Sequence, residues 1–301
     1  MAALTHGLSD VQASQIASVP DLTGQVVYQH NRGIDTTASG AHGHVDRGTW
    51  TTSGGIQLTV AVKTIVVKRN ITSEVTSVKM RRGGAEKSET HHENVVPFLG
   101  ITTDIDSPFA APNPMAMISL WMDRGNLLKA LETNLTESER LHLANILINA
   151  KGDACLTDFG LSVILPEFLG TSYWSRTAGG AIRWRAPELL PPSSEDDLEI
   201  EAYAPVLSRS CDIYSFGSVA LHVMSRKIPY HNIDCEARVI LLMGLRKQPS
   251  RPPVPHLAEP YWQLVTYCWG ERGDPTSRPS IEQVLHAIST LQLTTSPGDS
   301  A

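Results

Sequence analysis

Short runs of β-favouring residues alternate with polar turns through the first half of the chain. The run Ile56 to Val67 is rich in β-branched residues and predicts a central strand. The runs Phe98 to Thr102 and Met115 to Leu120 predict two further strands, and Gln25 to Tyr28 predicts an earlier one. We therefore expect the first part of the chain to be rich in β-structure.

Two apolar triplets around a polar turn predict a hairpin further along. Ile146–Ile148 and Ala154–Leu156 flank a polar turn that contains Gly152. Because a hairpin brings its two ends together, Asn145 before it and Asp158 after it are predicted to converge. Their amide and carboxylate oxygens are hard ligands of the kind that Mg²⁺ accepts when it also holds phosphates. An ordinary surface hairpin with polar ends is the alternative interpretation of this stretch.

The pattern becomes helical in the second half. A largely apolar run from Asp212 to Met224 predicts a helix, and Ile281 to Leu293 predicts a final amphipathic helix. Further upstream, Thr136 and Glu139 form a capping box that starts a helix. That helical pattern is cut off after about two turns.

Composition limits the classes of protein to which the chain can belong. Its 301 residues, 41% hydrophobic and 19% charged, indicate a globular chain with one large domain or two lobes. A net charge of −6 gives no support for a nucleic-acid partner. There is no secretory signal, and no apolar run approaches the ~20 residues that span a bilayer. We expect a cytoplasmic protein with reduced thiols at Cys155, Cys211, Cys235 and Cys268.

Four short motifs follow one another in a fixed order. The run Val60 to Lys63 comes first, and Asn145 stands at the start of the hairpin. Asp158-Phe159-Gly160 follows the hairpin, and Ala186-Pro187-Glu188 comes last. This order resembles the protein kinase signature set: a strand lysine, a metal-binding asparagine, the DFG aspartate and the APE triplet. In style the chain resembles the tyrosine-kinase-like group of serine/threonine kinases.

The resemblance implies a fold and a reaction. The implied fold is α+β and bilobal, with a small β-rich lobe at about 22–120 and a larger, incomplete helical lobe at about 121–293. Residues 1–21 and 294–301 would be flexible tails. The implied reaction transfers the γ-phosphoryl group of ATP to a serine or threonine hydroxyl of a protein, with ATP and Mg²⁺ as cofactors.

The resemblance also implies a nucleotide site. Gly40 and Gly43 match the second and third glycines of a phosphate-binding turn, whereas Ala38 stands at the first glycine position. An ordinary turn is the alternative for this stretch. The resemblance places Val45 and Ala61 against the adenine. The backbone of Leu120 and Met122 would read the adenine edge.

Lys63 is the predicted catalytic lysine. A lysine inside a strand must reach solvent or meet an anion, because a buried unpaired ammonium is costly. The resemblance places Lys63 on the α- and β-phosphates, with Asn145 and Asp158 as its catalytic companions and as the metal ligands. The helix glutamate that should pair with Lys63 falls near Gly83, and no partner is assigned.

One part of the kinase pattern is missing. Only nineteen positions separate Asn126 from Asn145, although a kinase places two helices and the catalytic loop in this interval. The loop has the pattern H-x-D-x-x-x-x-N, yet Arg140 stands five residues before Asn145. His142 is at the wrong offset. The aspartate that accepts the substrate hydroxyl proton is therefore absent.

The missing catalytic-loop sequence has several interpretations. The spacing from Asn145 to Asp158 is intact, so the pattern indicates a clean internal excision by a skipped exon or an incomplete gene model. An evolved pseudokinase is the alternative origin. Ala181 also stands where serine/threonine kinases usually carry a hydroxyl. We expect an ATP- and Mg²⁺-binding chain with impaired catalysis. The alternatives are a non-catalytic scaffold or nucleotide-sensing module, and a truncated product without a stable fold.

Overall fold

The structure is a computed structural model that describes residues 19–28, 38–40, 43–65, 92–104, 115–127, 146–157, 182–191, 205–253 and 257–295. The chain divides into two compact units, Met1–Thr171 and Ser172–Ala301. The first unit extends beyond the predicted small lobe, which ends near Leu120. It includes the hairpin because Val95 bridges to Leu156 and Asn126 bridges to Leu147.

The first unit contains an antiparallel six-stranded sheet. Its strands are β1 (Val26–Tyr28), β2 (Ala38–Gly40), β3 (Gly43–Thr51), β4 (Gln57–Ile65), β5 (Phe98–Thr102) and β6 (Ala116–Leu120). The strand order is β1-β3-β4-β6-β5, and β2 pairs with β3. The structure thus confirms the strand predictions and places β4 in the interior of the sheet.

Side chains alternate between the two faces of each strand, and those on one face form the core of this sheet. Val60 and Val62 of β4 are fully buried, and so is Ile118, which pairs with Val62 on β6. Leu22 and Val26 pack onto the same cluster. Full burial of a valine or isoleucine side chain contributes about 1.5–3 kcal/mol, so this cluster supplies much of the stability of the sheet.

The described part of the chain begins at Val19, within the predicted tail of residues 1–21. Val19 is buried, and the Pro20 carbonyl accepts a hydrogen bond of 2.9 Å from the Ile101 amide. The Leu22 amide in turn donates to the Ile101 carbonyl at 2.8 Å. A Cβ at Gly100 would lie 2.5 Å from the Pro20 oxygen, so glycine permits this close approach.

A separate hairpin belongs to the same unit. Strands β7 (Ile146–Ile148) and β8 (Ala154–Leu156) pair antiparallel, with Leu147 opposite Cys155. The predicted hairpin is therefore confirmed.

The second unit is helical in its described part. Its helices are α1 (Arg209–Ser225), α2 (Glu236–Gly244), α3 (Glu259–Trp269) and α4 (Ile281–Thr295). Single 3₁₀ turns occupy Ile182–Trp184, Pro187–Leu189, Glu271–Gly273 and Pro275–Ser277. Helix α4 extends two residues beyond the predicted Leu293, to Thr295, and the remainder of the predicted tail lies outside the described residues.

Helix α1 packs closely on α3. Tyr214 is fully buried against Trp269, whose indole N–H donates to the Ser218 hydroxyl at 3.0 Å. A Cβ at Gly217 would lie 2.7 Å from the Cβ of Cys268, so this glycine sets the helix separation. On the other side of α1, the Phe216 side chain is 39% exposed. Burial of α1 is therefore one-sided in the described part of the unit.

A buried arginine fastens the turn at 182–184. Arg183 donates to the backbone carbonyls of Tyr230 at 3.0 Å and Ile233 at 2.7 Å, and more weakly to two neighbouring carbonyls. Tyr230 adopts a left-handed conformation with φ of 58°, and its hydroxyl donates to the Lys247 carbonyl at 2.7 Å. The guanidinium thus holds the loop after α1 in a turn that β-carbon sterics disfavour.

Glu188 of the APE triplet forms an ion pair with Arg278. Arg278 is buried and forms a two-pronged contact with the Glu188 carboxylate, with Nη2 2.8 Å from Oε2. The guanidinium also donates to the carbonyls of Ser210 and Gly273, and the Cys211 thiol donates to Glu188. Burial by itself raises the pKa of Glu188, but the hydrogen bonds and charge of Arg278 outweigh it and hold that pKa below its ordinary value.

We predict that breaking this pair destabilises the helical unit. Glu188→Gln leaves the buried Arg278 charge without its carboxylate, which should cost about 3–5 kcal/mol. The measurement is the free energy of unfolding in denaturant. Glu259→Gln, which removes the exposed partner of Arg251, is the matched control and should cost less than about 1 kcal/mol. Equal unfolding midpoints for the two variants would contradict the prediction.

Candidate functional site

One face of the sheet carries the predicted nucleotide-contacting side chains. Val45 of β3 lies opposite Lys63 of β4, and Lys63 lies opposite Met117 of β6. Directly opposed residues in an antiparallel pair share a face, and so do residues two apart on one strand. Val45, Ala61 and Lys63 therefore lie together on the face opposite the valine core. All three are half-buried, as is Ser119, which lies opposite Ala61.

The glycine hairpin adjoins this face. Ala38 pairs with Val45 and Gly40 pairs with Gly43, and residues 41–42 between them lie outside the described residues. Gly43 stands two residues before Val45 on the same strand, and Val45 pairs with Lys63. Gly43, at the edge of the predicted phosphate-binding turn, thus lies two residue pairs along the β3–β4 ladder from Lys63.

The segment after β6 lies at the other end of this face. The Leu120 side chain shares the core face with Val60, so a contact of Leu120 with the adenine edge, as the resemblance implies, would have to come from its backbone. The Leu120 amide donates to the Pro97 carbonyl at 3.3 Å, and the Trp121 amide donates to the Thr59 carbonyl at 3.1 Å. These bonds fix the path of the backbone between the sheet and Met122.

An apolar cluster joins this segment to the hairpin. Met122, Val96 and Cys155 are buried together, with Leu120 and Leu147 packed against them. The Val96 amide donates to the Leu156 carbonyl at 2.9 Å, which adds a backbone link to β8. Burial and the nearby charge of Asp153 raise the pKa of the Cys155 thiol, so it stays protonated. The segment from Leu120 to Met122, which is predicted to read the adenine edge, and the hairpin therefore form one packed region.

The hairpin turn is closed by a reciprocal side-chain clamp. The Asn149 side chain accepts from the Asp153 amide at 2.9 Å and donates to the Asp153 carboxylate at 3.0 Å. Gly152 has φ of 99°, a conformation that other residues rarely adopt. A Cβ there would also lie 3.2 Å from the Arg124 guanidinium.

The two predicted metal ligands lie outside the described residues. Asn145 immediately precedes β7, and Asp158 follows β8 by two positions. The end pair of the hairpin, Ile146 with Leu156, stands one position from Asn145 and two positions from Asp158 in sequence. The hairpin is therefore placed by the structure, whereas the convergence of the two ligands stays a prediction.

Two features of the sheet were not predicted. The Arg47 guanidinium lies 5.4 Å from the centre of the Trp121 ring, beside Ala61. On the opposite face, Asp46 is 1% exposed, and its carboxylate lies 3.4 Å from the His44 imidazole. An acidic residue one position after Val45 falls on the core face, so strand alternation could have indicated a buried charge in need of a partner.

Comparison with protein families gives two adjoining matches. Residues 33–144 match the family model of protein tyrosine and serine/threonine kinases, and residues 139–288 match that of the protein kinase domain. Together they run from residue 33 to residue 288. The chain belongs to the protein kinase superfamily. The antiparallel sheet and the helical unit are those of an α+β, bilobal kinase fold, present in part.

Individual relatives agree with this family. The human mitogen-activated protein kinase kinase kinase 11 is 32% identical over 138 residues, which are 46% of this chain and 14% of the relative. The dual specificity protein kinase pyk3 of Dictyostelium discoideum is 26% identical over 227 residues, 68% of this chain and 15% of the relative. A serine/threonine-protein kinase/receptor, R818, of Acanthamoeba polyphaga mimivirus is 24% identical over 86% of this chain. The chain thus spans about a sixth of the length of these kinases, and it resembles the tyrosine-kinase-like group.

The two family matches meet just before the hairpin. They overlap only at residues 139–144, directly before Asn145. This is the interval in which the catalytic-loop sequence is missing. In the described ranges, no helix is long and apolar enough to cross a membrane.

The donor set on the sheet face fits a nucleoside triphosphate. A half-buried ammonium, glycine backbone and a half-buried surface at Val45 and Ala61 offer a cation, peptide N–H groups and an apolar contact. Those are the groups that phosphates and a purine ring require.

We predict that Gly152→Ala destabilises the first unit by about 1 kcal/mol, because alanine resists the positive φ of this turn. The measurement is the midpoint of thermal unfolding. Gly54→Ala is the matched control, since Gly54 stands in another turn without positive φ, and a Cβ there would make only an ordinary contact of 3.9 Å with the Thr52 hydroxyl. An unchanged midpoint for Gly152→Ala would show that the turn differs from the one described.

Proposed function

We propose that this kinase-family chain binds Mg²⁺·ATP and has little phosphotransferase activity. The observation that supports binding is the register of Val45 with Lys63 beside the glycine hairpin. In this proposal Lys63 holds the α- and β-phosphates, while the backbone at Gly40 and Gly43 approaches them. Val45 and Ala61 contact the purine, and the backbone of Leu120 and Met122 reads its edge.

Asn145 and Asp158 are the proposed metal ligands. Each stands within two positions of a hairpin strand, and the hairpin is fixed to the adenine-reading segment by the cluster around Met122. Their amide and carboxylate oxygens suit Mg²⁺. A bound ion would neutralise negative charge on the phosphate groups.

The loss of activity rests on the interval before Asn145. No aspartate stands where the hydroxyl-orienting base belongs, since Arg140 occupies that position. Loss of a positioned general base alone typically lowers a rate by about 10²–10⁴-fold. Ala181 and the missing glutamate near Gly83 act in the same direction.

The same interval explains how binding can persist. Asn126 bridges to Leu147, and the Ile148 amide donates to the Gly125 carbonyl at 2.8 Å. The two ends of the shortened interval are therefore anchored beside one another. A connection whose ends lie close together tolerates a change of length at small entropic cost. Loss of the catalytic-loop sequence can thus leave the sheet, the adenine-reading segment and the hairpin in place.

A non-catalytic scaffold or nucleotide-sensing module is the second candidate function. The absence of the catalytic-loop aspartate favours it directly. Members of the family phosphorylate protein substrates. For this chain, a protein substrate or a protein partner is a proposal. Nucleotide binding without phosphotransfer would support the sensing role, whereas a fold that binds no nucleotide would leave only the scaffold.

We predict Mg²⁺-dependent ATP binding that requires Lys63. Lys63→Met should weaken the affinity for ATP at least about tenfold, because a hydrogen bond to a charged group contributes about 1.5–3 kcal/mol. Asp158→Ala should remove the Mg²⁺ dependence. The measurement is calorimetric titration of ATP with and without Mg²⁺. The control is Lys151→Met, an exposed lysine in the hairpin turn, which should bind as the unaltered chain does. Absence of any nucleotide signal, or an equal loss in both lysine variants, would contradict this.

We predict little or no phosphotransferase activity for the unaltered chain. The measurement is transfer of radiolabelled phosphate from ATP to a generic basic protein. The comparison is a version with a family-type catalytic loop inserted between Leu143 and Ala144, which should be at least about 10²-fold more active. Robust transfer by the unaltered chain, abolished by Asp158→Ala, would disprove the proposed impairment.

A further inference from the structure

An arginine and a tryptophan meet on the sheet face that carries Lys63. The Arg47 guanidinium lies over the Trp121 ring, 5.4 Å from its centre, and we call this pair the rim stack. Arg47 is exposed and Trp121 is half-buried, so the contact lies at the border of the face. A cation over an aromatic ring is attracted by the electron density of the ring, which holds the guanidinium in place.

The register of the strands places the rim stack on the nucleotide face. Arg47 of β3 lies opposite Ala61 of β4. It also stands two residues after Val45, so the two side chains project to the same face. The Trp121 amide donates to the Thr59 carbonyl at 3.1 Å, which continues the pairing of β4 one residue past the end of β6. The guanidinium therefore reaches Trp121 across β4, beside the small Ala61 side chain.

The rim stack lies at the end of the face away from the predicted phosphate contacts. Lys63 lies opposite Met117 on β6, and Trp121 stands four residues further along the chain. Four residues of strand extend about 13 Å. Gly43 lies beyond Lys63 in the other direction. A guanidinium held over Trp121 is thus placed toward the base end of a nucleotide whose phosphates bind at Lys63.

The chemistry of the rim stack suits an aromatic base. A guanidinium is planar and weakly hydrated, and it stacks on aromatic rings. When one side of the Arg47 plane faces Trp121, the other side remains for a second ring. The half-buried apolar surface of Val45 and Ala61 adjoins it. Because Trp121 already holds the guanidinium, less side-chain entropy is lost when a ligand binds.

We propose that Arg47 is a purine-binding residue and that Trp121 is the positioning residue that holds its guanidinium against the base. The inference rests on the proposed function, in which Val45 and Ala61 contact the purine. It adds a charged, planar group at the outer edge of the base. The affinity that Arg47 contributes belongs to the base and is independent of Lys63, of the phosphates and of Mg²⁺.

The first test separates the two ends of the nucleotide by calorimetric titration of adenosine, Mg²⁺·ATP and inorganic tripolyphosphate. Arg47→Met should weaken the affinity for adenosine and for ATP by the same factor, about fivefold, and leave that for tripolyphosphate unchanged. Lys63→Met should weaken the affinity for ATP and tripolyphosphate and spare adenosine. The control is Arg238→Met at an exposed arginine of helix α2, which makes the same change of charge and should alter none of the three affinities.

The pattern of losses distinguishes a contact with the base from attraction at a distance. An affinity for adenosine that Arg47→Met leaves unchanged overturns the inference, while ATP binding by the unaltered chain still supports the proposed function. A loss confined to ATP and tripolyphosphate also overturns it, because that loss reports attraction to phosphate charge. A chain that binds no ATP overturns the proposed function and this inference together.

A fourth ligand distinguishes the purine from the ribose. The dideoxy form of adenosine lacks the two ribose hydroxyls to which a guanidinium could donate hydrogen bonds. Arg47→Met should weaken its affinity by the same factor as that of adenosine. A loss seen with adenosine and not with the dideoxy form would assign Arg47 to the ribose and overturn the contact with the purine.

The last test asks whether Trp121 acts through Arg47. Trp121→Leu should weaken the affinity for adenosine about fivefold, and the double variant with Arg47→Met should lose no more than either single variant. Independent roles would multiply the losses to about 25-fold and overturn the positioning role. Trp121→Phe keeps a ring and should bind adenosine within about twofold of the unaltered chain, which tests the same role if Trp121→Leu fails to fold. Thermal unfolding of each variant checks its fold.

Discussion

Side-chain alternation along β4 is the constraint on which the rest of the site depends. Val60 and Val62 enter the core, so Ala61 and Lys63 must occupy the other face. A shift of one residue would exchange these faces and carry the Lys63 ammonium into the core, where an unpaired charge is costly. The burial that stabilises the sheet therefore also positions the lysine. Pairing with β3 then sets Val45 and the glycine hairpin beside it.

A second coupling explains why a shortened kinase chain can keep this site. The interval that lacks the catalytic-loop sequence begins after Asn126 and ends at Asn145, and the Asn126–Leu147 bridge anchors both of its ends. The cluster of Met122 with Val96 and Cys155 holds the hairpin to the sheet independently of that interval. In the proposed function, binding and catalysis are therefore separable, since the proposed binding groups come from the sheet and the hairpin, whereas the base would come from the missing loop.

Much of the fold followed from local pattern and the resemblance. Period-two runs located the strands, and Gly152 with its polar neighbours located the hairpin. Helices α2 and α3 gave weaker signals: Cys235 and Ala258 precede them without a side-chain cap, and Arg246, two residues past the end of α2, has the positive φ that glycine usually supplies. The buried Asp46 and the carbonyl contacts of Arg183 depend on residues far away in sequence, so no local pattern contains them. Asn145 and Asp158 stay predictions, because they lie outside the described residues.

Labelling of the lysine at the phosphates tests the central claim most directly. In an ATP analogue whose γ-phosphate carries an acyl group, a nearby lysine amine attacks the acyl carbon, forms an amide and releases ATP. Peptide mass spectrometry then identifies the modified lysine. The account predicts labelling of Lys63 that excess Mg²⁺·ATP prevents, with Lys151 labelled weakly and without protection by ATP. Labelling spread over surface lysines, or a Lys63 signal unaffected by ATP, would contradict the claim that this sheet face binds the nucleotide.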